Sequence, residues 1–272
     1  MSGIRQIALV ISDIDGTLIT SNHEVTQATK RSAQALFENE IRLALASSRP
    51  PRAIEPIADA LGLDAPYAAF NGGMIVASDG NLIAGSTIET PAVRLIKKIA
   101  SDLELDVWLY DAQNWWVSKR TPFVEREEHT AGFPAELADY DERLSSPLIK
   151  LTVVGKPDRV EVAEAKVLEE LATLVSASRS KPRFLDITPY GWHKGAVVSR
   201  FAKFFGCSED EVAVIGDGPN DVEMFARAGL SIAMGQAVEY VRAHARFLTS
   251  SNDEEGWARG IEKFVLGGEF ER

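Results

Sequence analysis

The sequence predicts an α/β protein, a doubly wound parallel-sheet core interrupted by a smaller α+β domain. Two observations carry this reading. At both ends of the chain, short apolar runs such as Ile7-Ala8-Leu9-Val10-Ile11 and Val212-Ala213-Val214-Ile215 alternate with segments of helical period, as expected of strands buried on both faces of a parallel sheet. In the middle, uniformly apolar runs give way to alternation, the pattern of a sheet with one solvated or site-facing side. A core split by an insertion accounts for both, with residues 1–84 and 188–272 forming the core and 85–187 the inserted domain.

Taken in order, Ile7–Ile11 is the first strand, and residues 24–38 carry apolar positions at helical spacing. Ile41–Ala46 is the second strand, and Pro50 and Pro51 open a helix around 52–61, since proline suits a first helical turn. Tyr67–Phe70 then leads into the turn Asn71-Gly72-Gly73, which completes a βαβαβ order. Residues 74–84 read as a hairpin turning at Asp79-Gly80. Inside the insertion, helices near 91–101 and 158–173 interleave with strands near 107–117, 148–154 and 183–187. The α/β rhythm returns with a helix at 194–205, strand Val212–Ile215, a helix at 220–228, strand Leu230–Ala233, and a last strand and helix toward 246–265.

Composition narrows the function classes. The 272 residues are 45% hydrophobic and 25% charged, with a net charge of −11, which argues against nucleic-acid or acidic-membrane partners, since both need a basic face. A small anionic substrate stays open, because a metal and a local cation can dominate a pocket. Cys207 is the single cysteine, so no internal disulfide forms, and a reducing, cytoplasmic setting is expected. The first apolar run ends at Asp13, too short for a signal sequence or a spanning helix.

Chemistry gathers at four places. Asp13 and Asp15, in SDIDGTLIT, stand where the first strand should end, the edge at which open α/β sheets bind ligands. Two carboxylates there suit nucleophilic attack by one and proton transfer by the other; the competing reading is a turn whose side chains cap backbone amides. Ser47-Ser48-Arg49 closes the second strand with hydroxyls for an anion, or else caps the next helix. Lys194, in GWHKGAVV, opens a helix against its dipole, which favours an anionic partner over simple solvation. Finally, VAVIGDGPND at 212–221 places Asp217 and Asp221 at a third strand end. Capping explains Asn220 or Asp221 but not Asp217 as well, and four clustered carboxylates call for a hard divalent cation such as Mg²⁺. Neither a Walker lysine loop nor G-x-G-x-x-G occurs.

In this order, these elements resemble the haloacid dehalogenase superfamily of phosphohydrolases: DIDGTL at 13–18, Ser47, Lys194-Gly195 and GDGPND at 216–221. The insertion between the second and third elements resembles the Cof-type branch (subfamily IIB), as do NGG at 71–73 and LDITPYGWHKG at 185–195. The resemblance implies a Rossmann-like core with a C2-type cap, and a Mg²⁺-dependent phosphatase acting through an aspartyl-phosphate. It implies Asp13 as nucleophile and Asp15 as acid and base. It implies Ser47, Lys194 and Asn220 around the phosphoryl group. The metal would be held by Asp13, the backbone carbonyl of Asp15 and Asp217, with Asp221 in support. A small phosphorylated metabolite is the implied substrate, a sugar phosphate by family habit. A phosphomutase using the same aspartyl-phosphate, and a non-catalytic binder of phosphorylated ligands, are the alternatives.

Two departures stand out. Ser48 replaces the usual glycine of the second motif, and serine tolerates a positive φ poorly. His193 precedes Lys194, where smaller polar residues are common. In the insertion, Trp115 and Trp116 are neighbours on a strand and must point to opposite faces: either both pack, one on each face, or one is exposed toward substrate or partner. The acidic, poorly periodic stretch 121–146 reads as a mobile specificity segment.

Overall fold

The structure, a computed structural model, describes residues 6–144 and 146–267. Ser145 of the 121–146 stretch, and the ends of the predicted core segments at 1–5 and 268–272, lie outside the described residues. The chain divides into two compact units, one of Met1–Ser47, Pro56–Ala68 and Lys194–Arg272, the other of Ser48–Glu55 and Ala69–His193.

The first unit is built on a five-stranded parallel sheet. Its spatial order is Phe247–Leu248, Leu230–Ala233, Val212–Gly216, Leu9–Ser12 and Arg42–Leu45. Every residue of Leu9–Ser12, Val212–Gly216 and Leu230–Ala233 is buried, which is why these segments are apolar apart from Ser12 and Ser231. Register then fixes the site. Ser12 lies level with Ile215 on one side and Leu45 on the other, so Asp13, Gly216 and Ala46 leave the sheet side by side. The helix Gln27–Glu38 begins at Thr26, whose hydroxyl accepts from the Thr29 amide at 3.1 Å. The C-terminal helical segment is pinned to the same strand end, since Trp257 Nε1 donates to Ser12 Oγ at 2.9 Å.

The second unit carries a six-stranded sheet in the order Val175–Lys181, Phe184–Pro189, Lys150–Val154, Asp106–Tyr110, Trp115–Val117 and Glu136–Leu137. Its pairs are antiparallel except the last, which is parallel. Residues of helices Thr90–Asp102 and Pro157–Leu171 form one apolar cluster with Val107, Leu109, Leu151, Val153, Leu185 and Ile187. By the two-residue period of strands, Trp108, Tyr110, Lys150, Thr152, Phe184 and Asp186 occupy the other face.

The tryptophan pair resolves as packing on both faces. Trp116 joins the helix-side cluster, while Trp115 stacks on Tyr110 and meets Trp108 and Phe133 edge-on; both are buried. The segment predicted near 107–117 is two strands, with Asp111 turning the chain by accepting from the Gln113 and Asn114 amides. Within 121–146 the sequence forms the helix Pro122–Ala131, the short strand Glu136–Leu137 and a helical turn Tyr140–Arg143. Polar ties absent from a hydrophobic pattern hold it. The Thr121 hydroxyl caps the helix, and Glu128 accepts from Arg120 and from the Ala135 amide. The strand Val175–Lys181, VSASRSK, has no counterpart in the sequence reading, because an edge strand of serines and charges shows no apolar alternation.

Candidate active site

The Leu9–Ser12 strand ends one residue before Asp13, and the chain turns at once through Ile14–Leu18. Gly16 makes the turn possible in two ways. It adopts φ +75, and a Cβ there would stand 2.4 Å from Asp217 Oδ2. Thr17 then donates to Asp217 Oδ1 at 3.1 Å, so the first and third strand ends are tied through the DGT residues. Gly216 is under a similar constraint, its absent Cβ leaving room for the Asp221 carboxylate at 2.4 Å.

Lys194 is the centre of the site. Its side chain is only 2% exposed, and Nζ donates to Asp13 Oδ1 at 2.5 Å and Asp221 Oδ1 at 2.7 Å. The reading of a solvated surface lysine is thereby excluded. Asp221 spends its other oxygen on the amides of Asp217 and Gly218, at 3.0 and 2.8 Å, which makes it both a brace for Lys194 and a cap on the GDGPND turn. Asp13, Asp217 and Asp221 offer carboxylate oxygens that all lie within 4.8 Å of one another. Among the described residues this is the one cluster of potential metal ligands. The Asp15 carboxylate stands outside it, partly exposed, with His23 Nδ1 3.9 Å away.

Electrostatics show what the cluster lacks. Burial, then the neighbouring Asp221 and Asp217, hold Asp13 well above the ordinary carboxylate range, with Lys194 opposing them. Asp217 is pushed up to about 7, chiefly by burial and by Asp221. Burial works against the Lys194 ammonium, but Asp13 and Asp221 outweigh it and raise its pKa. With all three carboxylates ionised against one lysine, the cluster carries two surplus negative charges, which a divalent cation would neutralise. The donors are oxygens without histidine or cysteine, a set that fits Mg²⁺ better than zinc.

The remaining predicted residues sit as follows. Ser47 is buried, and its amide donates to Ala68 O at 2.9 Å. Asn220 is buried in the 3₁₀ turn Pro219–Asp221. Ser48 does not adopt a positive φ, so the missing glycine strains nothing here. Sequence reasoning overlooked Gln236. Its side-chain amide donates to Gly16 O and reaches Asp217 Oδ2 at 3.5 Å, while its carbonyl accepts from the Asn252 amide. No local pattern marks it; only the packing of the segment after Leu230–Ala233 brings it to the DGT turn.

Residues 10–261 match the haloacid dehalogenase-like hydrolase family. YxeH of Bacillus subtilis strain 168, which carries the provisional name of a phosphatase, is 27% identical over 95% of this chain and 98% of its own. The HMP-PP phosphatase of Escherichia coli O81 is 25% identical and the match covers 86% of each chain. Among solved structures, BT1666 of Bacteroides thetaiotaomicron, described among phosphatases of the same superfamily, is 28% identical with a TM-score of 0.84 over 98% of both chains. With a family match over nearly its whole length and an acidic cluster at the ends of its parallel strands, the chain belongs to the haloacid dehalogenase-like hydrolases, in their Cof-type branch.

Proposed function

We propose that the chain is a Mg²⁺-dependent phosphomonoester hydrolase that works through an aspartyl-phosphate on Asp13, with residues 85–187 serving as its cap. The observation that carries this reading is the buried lysine held between Asp13 and Asp221 in a cluster left two charges negative. Such a site suits a substrate that arrives with a metal and carries its own negative charge.

Asp13 attacks phosphorus with a carboxylate oxygen as the ester P–O bond breaks, and Asp15, protonated, gives its proton to the leaving oxygen. Asp15 then takes a proton from water, whose oxygen attacks phosphorus and releases inorganic phosphate and the free Asp13 carboxylate. Lys194 favours the ionised form of Asp13 and faces the charge that develops on the phosphoryl oxygens. Ser47 and Asn220 hold that group in place. Asp13, the Asp15 carbonyl and Asp217, with Asp221 in support, would hold Mg²⁺, which would supply charge neutralisation and orientation. The substrate is a small phosphorylated metabolite, for which we propose a sugar phosphate.

The test is hydrolysis of p-nitrophenyl phosphate with Mg²⁺, followed by a panel of sugar, nucleotide and cofactor phosphates ranked by kcat/KM. Free phosphate should accumulate rather than an isomerised sugar phosphate, and Asp13→Asn should be inactive. No turnover across the panel, or full activity in that variant, overturns the proposal.

A further inference from the structure

The second unit buries an ion pair that the reaction above does not use. Lys150 and Asp186 have side chains 7% and 2% exposed, with Nζ 2.9 Å from Oδ1. Strand register brings them together, because Asp186 pairs with Thr152 and Lys150 lies two residues before it on the same strand and face. Asp186 is fully engaged: Thr152 Oγ1 donates to Oδ1 and Asn71 Nδ2 to Oδ2, each at 2.9 Å. These donors fix the carboxylate, and the carboxylate aims the lysine.

A buried ion pair is weak evidence for stability, since apolar side chains of the same volume usually serve as well or better. What apolar groups could not supply is the other bond of Lys150. Nζ also donates to the backbone carbonyl of Ser48 at 3.0 Å, and the ammonium lies 5.3 Å from the centroid of the Tyr110 ring. Ser48 is covalently next to Ser47, the residue proposed to hold the phosphoryl group. The loop is tied at every residue. The Ser47 amide donates to Ala68 O at 2.9 Å, and Arg49 O accepts from the Phe70 amide at 3.0 Å. Between these two backbone ties, the Ser48 carbonyl is held by a side-chain cation.

We propose that Lys150, aimed by Asp186, is a positioning residue of the phosphate-binding loop: by holding the Ser48 carbonyl it sets where the Ser47 hydroxyl stands. The inference rests on the phosphatase reading for the role of Ser47. It gives the Lys150–Asp186 pair a function in substrate affinity, distinct from metal binding.

The experiment measures the Kd of inorganic phosphate by calorimetry in Mg²⁺, beside KM and kcat for p-nitrophenyl phosphate. Lys150→Met should raise phosphate Kd and KM together by about tenfold, the scale of coupling between neighbouring groups, with Mg²⁺ affinity unchanged. Lys150→Arg should restore most of the loss. In a Ser47→Ala background the same substitution should change phosphate Kd less than about twofold, because the group being positioned is gone. Should Lys150→Met not fold, the uncharged pair Lys150→Met/Asp186→Asn replaces it. A folded variant with wild-type phosphate Kd, or an equal loss with and without Ser47, overturns the inference. A wild-type protein that binds phosphate but hydrolyses no ester overturns the phosphatase reading while leaving the positioning role standing. One that does not bind phosphate overturns both.

Discussion

Lys194 and Lys150 are both buried and both salt-bridged, one in each unit, yet they sit in opposite electrical settings. Lys150 meets one carboxylate and one carbonyl, and its partner Asp186 is closed off by Thr152 and Asn71. That pair is neutral and complete. Lys194 meets two carboxylates with a third close by, and the surplus appears as raised pKa values on Asp13 and Asp217. A balanced pair can only hold a shape, whereas an unbalanced cluster has charge left over for a metal and a reaction.

The largest effect that separates the two should come from Lys194→Met. Removing the lysine leaves Asp13 and Asp221 buried without their cation, which typically destabilises by about 3–5 kcal/mol. Activity should vanish as well. Urea unfolding at pH 8 and pH 5.5 should show the deficit shrinking at the lower pH, because Asp13, already held above the usual carboxylate range, then takes up a proton. An equal deficit at both pH values would mean that lost packing, not stranded charge, dominates.

The surplus should next be visible in the metal-free wild type. Asp13 and Asp217 have folded-state pKa values above the ordinary carboxylate value, Asp217 near 7. Between about pH 4 and 7 the native state therefore binds more protons than the unfolded chain. The stability Asp217 contributes is complete at the acid end and is lost as pH rises through about 7, and Asp13 acts in the same direction. Melting in EDTA should thus be lower at pH 8 than at pH 5.5, and Asp217→Asn should flatten the difference. Saturating Mg²⁺ should remove it by stabilising the ionised cluster, by about 2.7 kcal/mol at a hundredfold excess over Kd.

The same contrast explains what the sequence disclosed. Asp13, Ser47, Lys194 and Asp217 are legible because each stands at a strand end or helix start, and the apolar runs that mark those ends are local features. Lys194 was conspicuous as a cation placed against a helix dipole. Lys150 gave no such signal: in KLTVV it occupies the alternating polar position of any half-buried strand, and its partner Asp186 is thirty-six residues away across a register no local pattern specifies. Ser48, marked only as a departure from glycine, acquires a role once its carbonyl is seen to be held. The edge strand Val175–Lys181 was hidden for a related reason, since edge positions are not required to be apolar.

The smallest expected effect probes how far the charged cluster depends on groups beyond its own ligands. Gln236 is exposed, so Gln236→Ala should leave melting in EDTA unchanged. Its amide nonetheless ties the Gly16 carbonyl and approaches the second oxygen of Asp217, whose first oxygen is held by Thr17. A carboxylate held at both oxygens is already oriented before a metal arrives, and outer partners of this kind commonly contribute about 10–100-fold to metal affinity. Because the 3.5 Å approach to Asp217 is long for a hydrogen bond, the loss should fall at the lower end, about tenfold in the Mg²⁺ Kd measured by calorimetry. Phosphate affinity at saturating Mg²⁺ should be unaffected, the reverse of what Lys150→Met should do. If instead Gln236→Ala lowers phosphate affinity and spares Mg²⁺, the amide belongs to the substrate's surroundings, and Asp217 is positioned by Thr17 and the GDGPND turn without it.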